Sequence, residues 1–349
     1  MNRKKKAIVT TLLVCAFILS GAEGVCASGN YYAKVRAGES GAYASASYEK
    51  HLSDDVTVPT AEQAFMRSFE QTSIEQESEE NTYPAAEVIS DAARSMPAGA
   101  YRMNVNINGR DVLKNSVFGI GSTTYVPLFR FCDWLGVFQY KYDKKTGVAS
   151  VSGDNLEISA KEGMLYIVAN GRYFYTVDKI INFNGETYVP IRTITKALNS
   201  KVEWSGTEGK FKVYSGDMSL LKSASQVYRE DEIYWLSRII NAEAGGESLQ
   251  GKLAVGNVIL NRVRSSAFPN TIYSVIFDKK YGVQFTPTIN GTIYKAPNAE
   301  SIIAAKMCIE GYSLSSDILY FFNPKKSPSN WISNNRKFAF QVGNHAFYY

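Results

Sequence analysis

One stretch of this chain is written twice. Asn108-Gly109-Arg110 recurs as Asn170-Gly171-Arg172, and Thr124-Tyr125-Val126-Pro127 recurs as Thr187-Tyr188-Val189-Pro190. Val151-Ser152-Gly153 is echoed by Val213-Tyr214-Ser215-Gly216, all at an offset of about 62 residues, so the same local structure is built two times over. Each copy reads as strand, Asn-Gly turn, strand, a helix opened by proline, then a hairpin. In the first copy Val105-Asn106-Ile107 alternates ahead of the turn, Pro127 opens a helix through Trp134, and Tyr140-Lys141-Tyr142 leads through residues 143–147 into a strand over 148–151. The second copy repeats this with Pro190, a helix to Leu198 and a hairpin over 202–213. The prediction is an α+β two-copy repeat module, with copies at 101–160 and 161–219.

The pattern of Asn-Gly-Arg, Thr-Tyr-Val-Pro and closing hairpin resembles the copper amine oxidase N-terminal-like module, a wall-associated or stalk module of secreted bacterial proteins. That resemblance implies a non-catalytic adhesion or spacer role. It brings no copper: no histidine stands between His51 and His345, and imidazole is the usual ligand for copper(II).

The N-terminus reads as a targeting segment. Arg3 to Lys6 are basic, residues 7–20 form an apolar run of about 14 residues where a bilayer span needs roughly 20, and Val25-Cys26-Ala27 suits a signal-peptidase site. The expectation is a signal peptide over 1–27, export, and no stable membrane anchor after cleavage. Residues 28–100 hold 5 basic and 12 acidic residues, whereas residues 101–349 carry a net charge of +9. The first stretch is rich in Ser, Ala and Glu and is expected to be an acidic flexible leader, with short helices around 61–69 and 85–95. A basic body outside a cell is drawn to anionic wall polymers, and nucleic acid is not an obvious partner there. Beyond the signal only Cys132 and Cys308 remain, in apolar surroundings and with no CxxC pair, so two buried free thiols are expected and neither a disulfide scaffold nor a cysteine zinc site.

From Tyr228 the apolar period changes to that of a helix. Leu236, Ile239 and Ile240 recur behind Asp231-Glu232, whose charges suit a helix N-terminus, and the run ends at Asn241-Ala242-Glu243-Ala244 with Gly245-Gly246 as the stop. A second helix is predicted from about Ser248 to Val263, where Gly256 signals the close approach of another backbone.

Six motifs in order then resemble the SleB-type cell wall hydrolase family: Asn241-Ala-Glu-Ala-Gly-Gly-Glu247, Gly251 to Val263, Phe268 to Ile276, Gln284-Phe-Thr286, Tyr320-Phe-Phe-Asn-Pro324 and Gly343-Asn-His-Ala-Phe347. The resemblance spans 228–349. It implies a mainly α, lysozyme-like (α+β) catalytic domain that cleaves peptidoglycan glycan strands, in its best-known members as a lytic transglycosylase of the spore cortex. The family motif has arginine where Gly245 stands, which leaves substrate preference open.

Glycosidic cleavage needs a carboxylic acid still protonated near neutral pH. Glu243 suits that role, because it ends an apolar helix between two alanines and both settings push its pKa upward. Glu247 reads as a first-turn or supporting residue of the second helix. With Gln284, Phe285, Thr286, Tyr320, Asn323 and His345 it makes up the candidate substrate-binding set. Asn290 is a further polar candidate, Tyr281, Tyr294 and Phe322 are further candidate stacking rings, and Asn323-Pro324 a loop lip. His345 has no second histidine in the domain, so no metal and no cofactor is expected. A zinc amidase or cysteine peptidase fits poorly, since Cys308 lies in an apolar helical run. Two readings stay open: a wall glycan lyase or hydrolase, and a catalytically silent wall-binding or surface-adhesion protein.

Overall fold

The computed structural model describes residues 96–136, 138–217, 221–327 and 331–349, and the backbone of 24–28, 31–36 and 45–49. Two units emerge, Met1–Pro59 and Thr60–Tyr349.

In the first unit β1 (Gly24–Ser28), β2 (Tyr31–Arg36) and β3 (Ser45–Glu49) form an antiparallel meander, with Tyr32 opposite both Ala27 and Glu49. Strands over 31–36 and 45–49 were not foreseen in the flexible leader expected over 28–100. Tyr31, Tyr32, Val35 and Tyr48 are strand-favouring residues whose signal was lost in the acidic average of the longer stretch. The signal segment ahead of Gly24 and the helices expected around 61–69 and 85–95 lie outside the described residues.

The second unit opens with a β-rich module. Its strands are β4 (Tyr101–Arg102), β5 (Asn104–Ile107), β6 (Arg110–Val112), β7 (Phe118–Ile120), β8 (Thr123–Pro127), β9 (Gln139–Asp143), β10 (Val148–Gly153) and β11 (Leu156–Lys161), followed by β12 (Tyr166–Ala169), β13 (Arg172–Tyr175), β14 (Ile181–Phe183), β15 (Glu186–Pro190), β16 (Lys201–Ser205) and β17 (Lys210–Tyr214). Two short helices interrupt them, α1 (Leu128–Asp133) and α2 (Ile191–Ala197). Three sheets result, ordered β13-β12-β11-β10-β9, β14-β15-β8-β7-β4 and β16-β17-β5-β6. Neighbours are antiparallel except β17 with β5, which pair parallel from Lys210–Asn104 to Val213–Ile107.

Local chemistry explains the turns. Asn108 and Gly109 have φ of 50° and 86°, and Asn170 and Gly171 have 50° and 74°, the double positive φ of the tight hairpin turn that asparagine and glycine tolerate best. Pro127 (φ −69°, ψ 119°) and Pro190 (φ −61°, ψ 127°) end a strand and cap the helix that follows, so each precedes the first helical residue instead of occupying it. The core between the sheets is mainly aliphatic with a few phenylalanines; Val126, Phe131, Ile158, Ile167, Ile194 and Leu198 are fully enclosed. Cys132 is enclosed with them as a free thiol.

The helical domain follows: α3 (Ala224–Val227), α4 (Glu230–Ala244), α5 (Leu249–Arg264), α6 (Ile272–Ile276), α7 (Pro287–Asn290), a 3-10 turn (Thr292–Tyr294), α8 (Ala299–Ile309) and α9 (Trp331–Asn335). A sheet not foreseen in the sequence closes it, with β18 (Tyr320–Phe322) and β19 (Phe338–Val342) flanking β20 (His345–Tyr348). Helices α4, α5 and α8 pack on one another. At their meeting point a Cβ on Gly256 would come within 2.7 Å of Cys308 Sγ and 3.0 Å of Ile240 Cδ1, so what crowds this glycine is neighbouring side chains and not the backbone expected from the sequence. Among the described residues no helix is long and apolar enough to cross a membrane.

Module and helical domain are not separated by an open linker. Tyr173 of β13 belongs to the core of the helical domain, and Tyr166, Val168 and Tyr175 pack around it. Arg172 grips Glu310 with two bonds of 2.8 and 2.6 Å, Lys196 Nζ donates to the Glu310 carbonyl at 2.7 Å, and Tyr175 lies 3.9 Å from Tyr312 between ring centres.

Candidate active site

Helix α4 carries Glu230, Asp231 and Glu232 in its first turn, where negative charge is favourable, and its buried stripe runs Leu236, Ile239, Ile240. Carried one turn further, that stripe reaches Glu243. A carboxyl thus occupies a core-facing position at the last turn of an apolar helix. Among the described residues no hydrogen bond or ion pair reaches it, and burial alone pushes its pKa up to about 7. Such a group still holds its proton at neutral pH and can give it away there.

The helix does not stop as glycine usually stops one. Gly245 remains right-handed (φ −57°, ψ −31°), and the chain turns through Glu247 N donating to Ala244 O at 2.9 Å. Glycine is needed here for another reason: a Cβ would stand 2.5 Å from Asn241 O. The last turn of α4 is tighter than a side chain at 245 allows. A clasp holds it. Asn241 Oδ1 accepts from Asn298 N at 3.0 Å and from Ser301 Oγ at 3.2 Å, and Asn298 Nδ2 donates to Gly245 O at 3.3 Å.

Glu247 differs from Glu243 in every respect. It precedes the N-cap Ser248 and is not a first-turn residue of α5. Its carboxylate accepts from Asn344 Nδ2 at 2.8 Å and Asn344 N at 3.2 Å, and those bonds hold its pKa below the usual carboxylate range. Gly343 is needed beside it, because a Cβ there would collide with the Glu247 carboxylate. Next to this junction Lys252, only 2% exposed, reaches Glu247 O and Glu300 Oε2, each at 2.5 Å.

The other sequence candidates separate into three settings. Phe285 is corrected: at 4% exposure it packs on Phe321 and under the Arg262 guanidinium, so it offers no free ring to a sugar. His345 is likewise buried in β20; its Nδ1 lies 3.9 Å from Glu247 Oε1 and makes no hydrogen bond, and burial lowers its pKa. Its neighbour Asn344, and not His345, makes the hydrogen bonds to Glu247. Tyr320 is half-buried between Arg262 and Arg336, and Asn323 shapes its own turn through Oδ1 to Lys325 N at 2.9 Å. Phe322 stacks on Tyr348. The amide of Gln284 is shared between Arg262 Nη1 and Gly282 O. Thr286 is exposed at the entrance to α7, Asn290 bonds Thr292, and Tyr281 and Tyr294 are exposed. Helix α7 and the 3-10 turn lie against α4.

Asn298, Ser301 and Asn344 escaped the sequence reading as site residues. Asn344 stood inside the Gly343-Asn-His-Ala-Phe motif, and its place between glycine and a buried strand was the available signal. Nothing local marks Asn298 beyond its fitness as a helix cap.

A β-rich module is thus joined to a helical domain that keeps one carboxyl without a hydrogen-bond or ion-pair partner at a helix end. The Cell Wall Hydrolase family profile matches residues 246–348, and the Copper amine oxidase N-terminal domain profile matches 106–213. The chain belongs to the cell wall hydrolase family. It is 36% identical over 122 residues to the spore cortex-lytic enzyme of Oceanobacillus iheyensis, covering 35% of this chain and 43% of that protein. It is 35% identical over 120 residues to that of Bacillus subtilis, covering 34% and 38%. The cell wall hydrolase CwlJ of Oceanobacillus iheyensis is 34% identical over 111 residues, covering 30% of this chain and 77% of CwlJ. Among solved structures, the catalytic domain of the germination-specific lytic transglycosylase SleB from Bacillus anthracis is 36% identical, with 35% of this chain and 97% of that one covered and a TM-score of 0.32. The chain spans less than half the length of the spore cortex-lytic enzymes it matches. The copper named in the module's family does not fit the residues present: the matched stretch has no histidine, and its cysteine, Cys132, is buried in the core.

Proposed function

We propose that this chain cleaves the glycan backbone of peptidoglycan between N-acetylmuramic acid and N-acetylglucosamine, as a lytic transglycosylase with Glu243 as its single acid and base. The observation that carries the reading is the unpartnered carboxyl of Glu243, held near a pKa of 7 by burial. In the neutral form it donates its proton to the departing glycosidic oxygen. The carboxylate left behind takes the proton of the C6 hydroxyl of the same muramic ring as that oxygen closes on C1, giving a 1,6-anhydro end and restoring the acid. Glu247 supports the single-carboxylate scheme, since the bonds from Asn344 hold its pKa below the usual carboxylate range and make it a weak base toward water. Gln284, Thr286, Asn290 and the exposed rings of Tyr281 and Tyr294 are the groups we assign to sugar contacts, with Tyr320, Asn323 and His345 shaping the walls.

The domain is read as lysozyme-like, and residues 101–219 as two copies of one non-catalytic unit, a reading supported by the matched Asn-Gly turns and the two proline-capped helices. The enzyme is proposed to be exported and wall-associated, with peptidoglycan as partner and anionic wall polymers as a second attraction for its basic body. The spore cortex-lytic relatives favour a role in spore cortex or vegetative wall remodelling.

The test is clearance of purified sacculi with mass analysis of the fragments. Glu243→Gln should bind sacculi but lose clearance by about 10²–10⁴-fold, while Glu247→Gln should retain most of it, and the released ends should be 1,6-anhydro. Clearance by Glu243→Gln at the native rate would overturn the assignment, and reducing ends would replace transglycosylation by hydrolysis. Binding by the native chain without any clearance would favour the silent adhesion protein.

A further inference from the structure

Glu243 sits midway between two residues that a distant segment pins down. Asn241, two positions before it, gives its side-chain oxygen to Asn298 N and Ser301 Oγ; Gly245, two positions after it, gives its carbonyl oxygen to the Asn298 side-chain amide. Asn298 also caps α8, its Oδ1 accepting from Ser301 N at 2.8 Å. One amide thus does two separable jobs, oxygen to its own helix and nitrogen to the turn carrying the acid. The strut behind it is fixed: at the far end of α8, Glu310 is held by Arg172 and Lys196 of the β-rich module. Ser301 is fully buried, so its hydroxyl has no water to turn to.

We propose that Asn298 is a positioning residue for Glu243, holding the last turn of α4 so that the acid stays at its core-facing, water-poor position. The proposal rests on Glu243 being the acid. Without the Gly245 bond the turn relaxes, the carboxyl gains water, and its pKa falls back toward the ordinary carboxylate range. The glycan-contacting surface is untouched, so binding is unaffected.

Asn298→Ser in the full chain is the clean test, because serine caps a helix about as well as asparagine but has no amide to donate. Expected are a kcat lower by about 10-fold, a KM on soluble glycan fragments within about 2-fold, and a basic limb of the pH-rate profile moved to lower pH, with Tm unchanged within about 2 °C. Asn298→Asp, an equally good cap of nearly the same size with an acceptor where the donor was, should lose kcat at least as strongly. If Asn298→Ser costs stability, the aspartate variant decides. Native kcat and an unmoved pH limb in a folded variant would overturn the proposal. Should Glu243→Gln itself keep full activity, the acid assignment fails instead, and the two failures are told apart.

Discussion

The β-rich module and the helical domain treat charge differently. In the module, charged groups settle into surface pairs such as Arg130 with Glu186, Lys210 with Asp111 and Lys212 with Glu208. The helical domain encloses Arg262 among Phe268, Phe285 and Tyr320, with carbonyl and amide oxygens as acceptors, and burial draws its pKa down to about 10. It also keeps Glu243 half-buried with no partner. A fold that pairs its surface charges relaxes electrostatic cost, and one that leaves an acid unpaired retains that cost where a proton must move.

The largest effect expected of this contrast is catalytic. On the acid role proposed for Glu243, native clearance should have a basic limb near pH 7, because the group loses its proton above that value; Glu243→Gln should show no such limb, only the residual rate. A native profile flat from pH 5 to 9 would break the comparison.

The seam between the two regions comes next. Arg172→Ala would strand Glu310, whose side chain is 5% exposed, and should cost about 3–4 kcal/mol in chemical denaturation. A cost near zero would mean that the module merely hangs from the helical domain.

Glu243 should also be a stability liability. Its folded pKa lies above the unfolded value of 4.5, so between about pH 4.5 and 7 the folded state binds more protons and stability falls as pH rises. Glu243→Gln should therefore be more stable than the native chain by up to about 3 kcal/mol above pH 7 and nearly equal below pH 4.5. Equal stability at pH 8 would place the carboxyl in water. At the small end, Lys201→Ala removes an exposed pair with Glu203 and should leave Tm unchanged, as a screened surface contact does.

Much of the fold was legible because its signals are local. Asn108-Gly109 and Asn170-Gly171 mark turns since few other residues accept their φ values, and the stripe of Leu236, Ile239 and Ile240 marks one face of a helix. The strands over 24–49 were missed because composition averaged over a long acidic stretch hid short runs of tyrosine and valine. Phe285 was misread as a sugar platform, since an aromatic next to polar residues looks the same in sequence whether it faces a groove or a guanidinium.

By itself the sequence determined the paired Asn-Gly turns, the two proline-preceded helices, and the presence of a carboxyl at the end of an apolar helix. Tertiary structure decided what the two nearby carboxyls became. Glu243, half-buried and without a donor, has its pKa pushed up to about 7, while Glu247, four residues on, has its pKa lowered because Asn344 from the far end of the chain bonds to it. A pKa is set by solvation and by partners brought in across the fold, and neither is a property of the residues on either side.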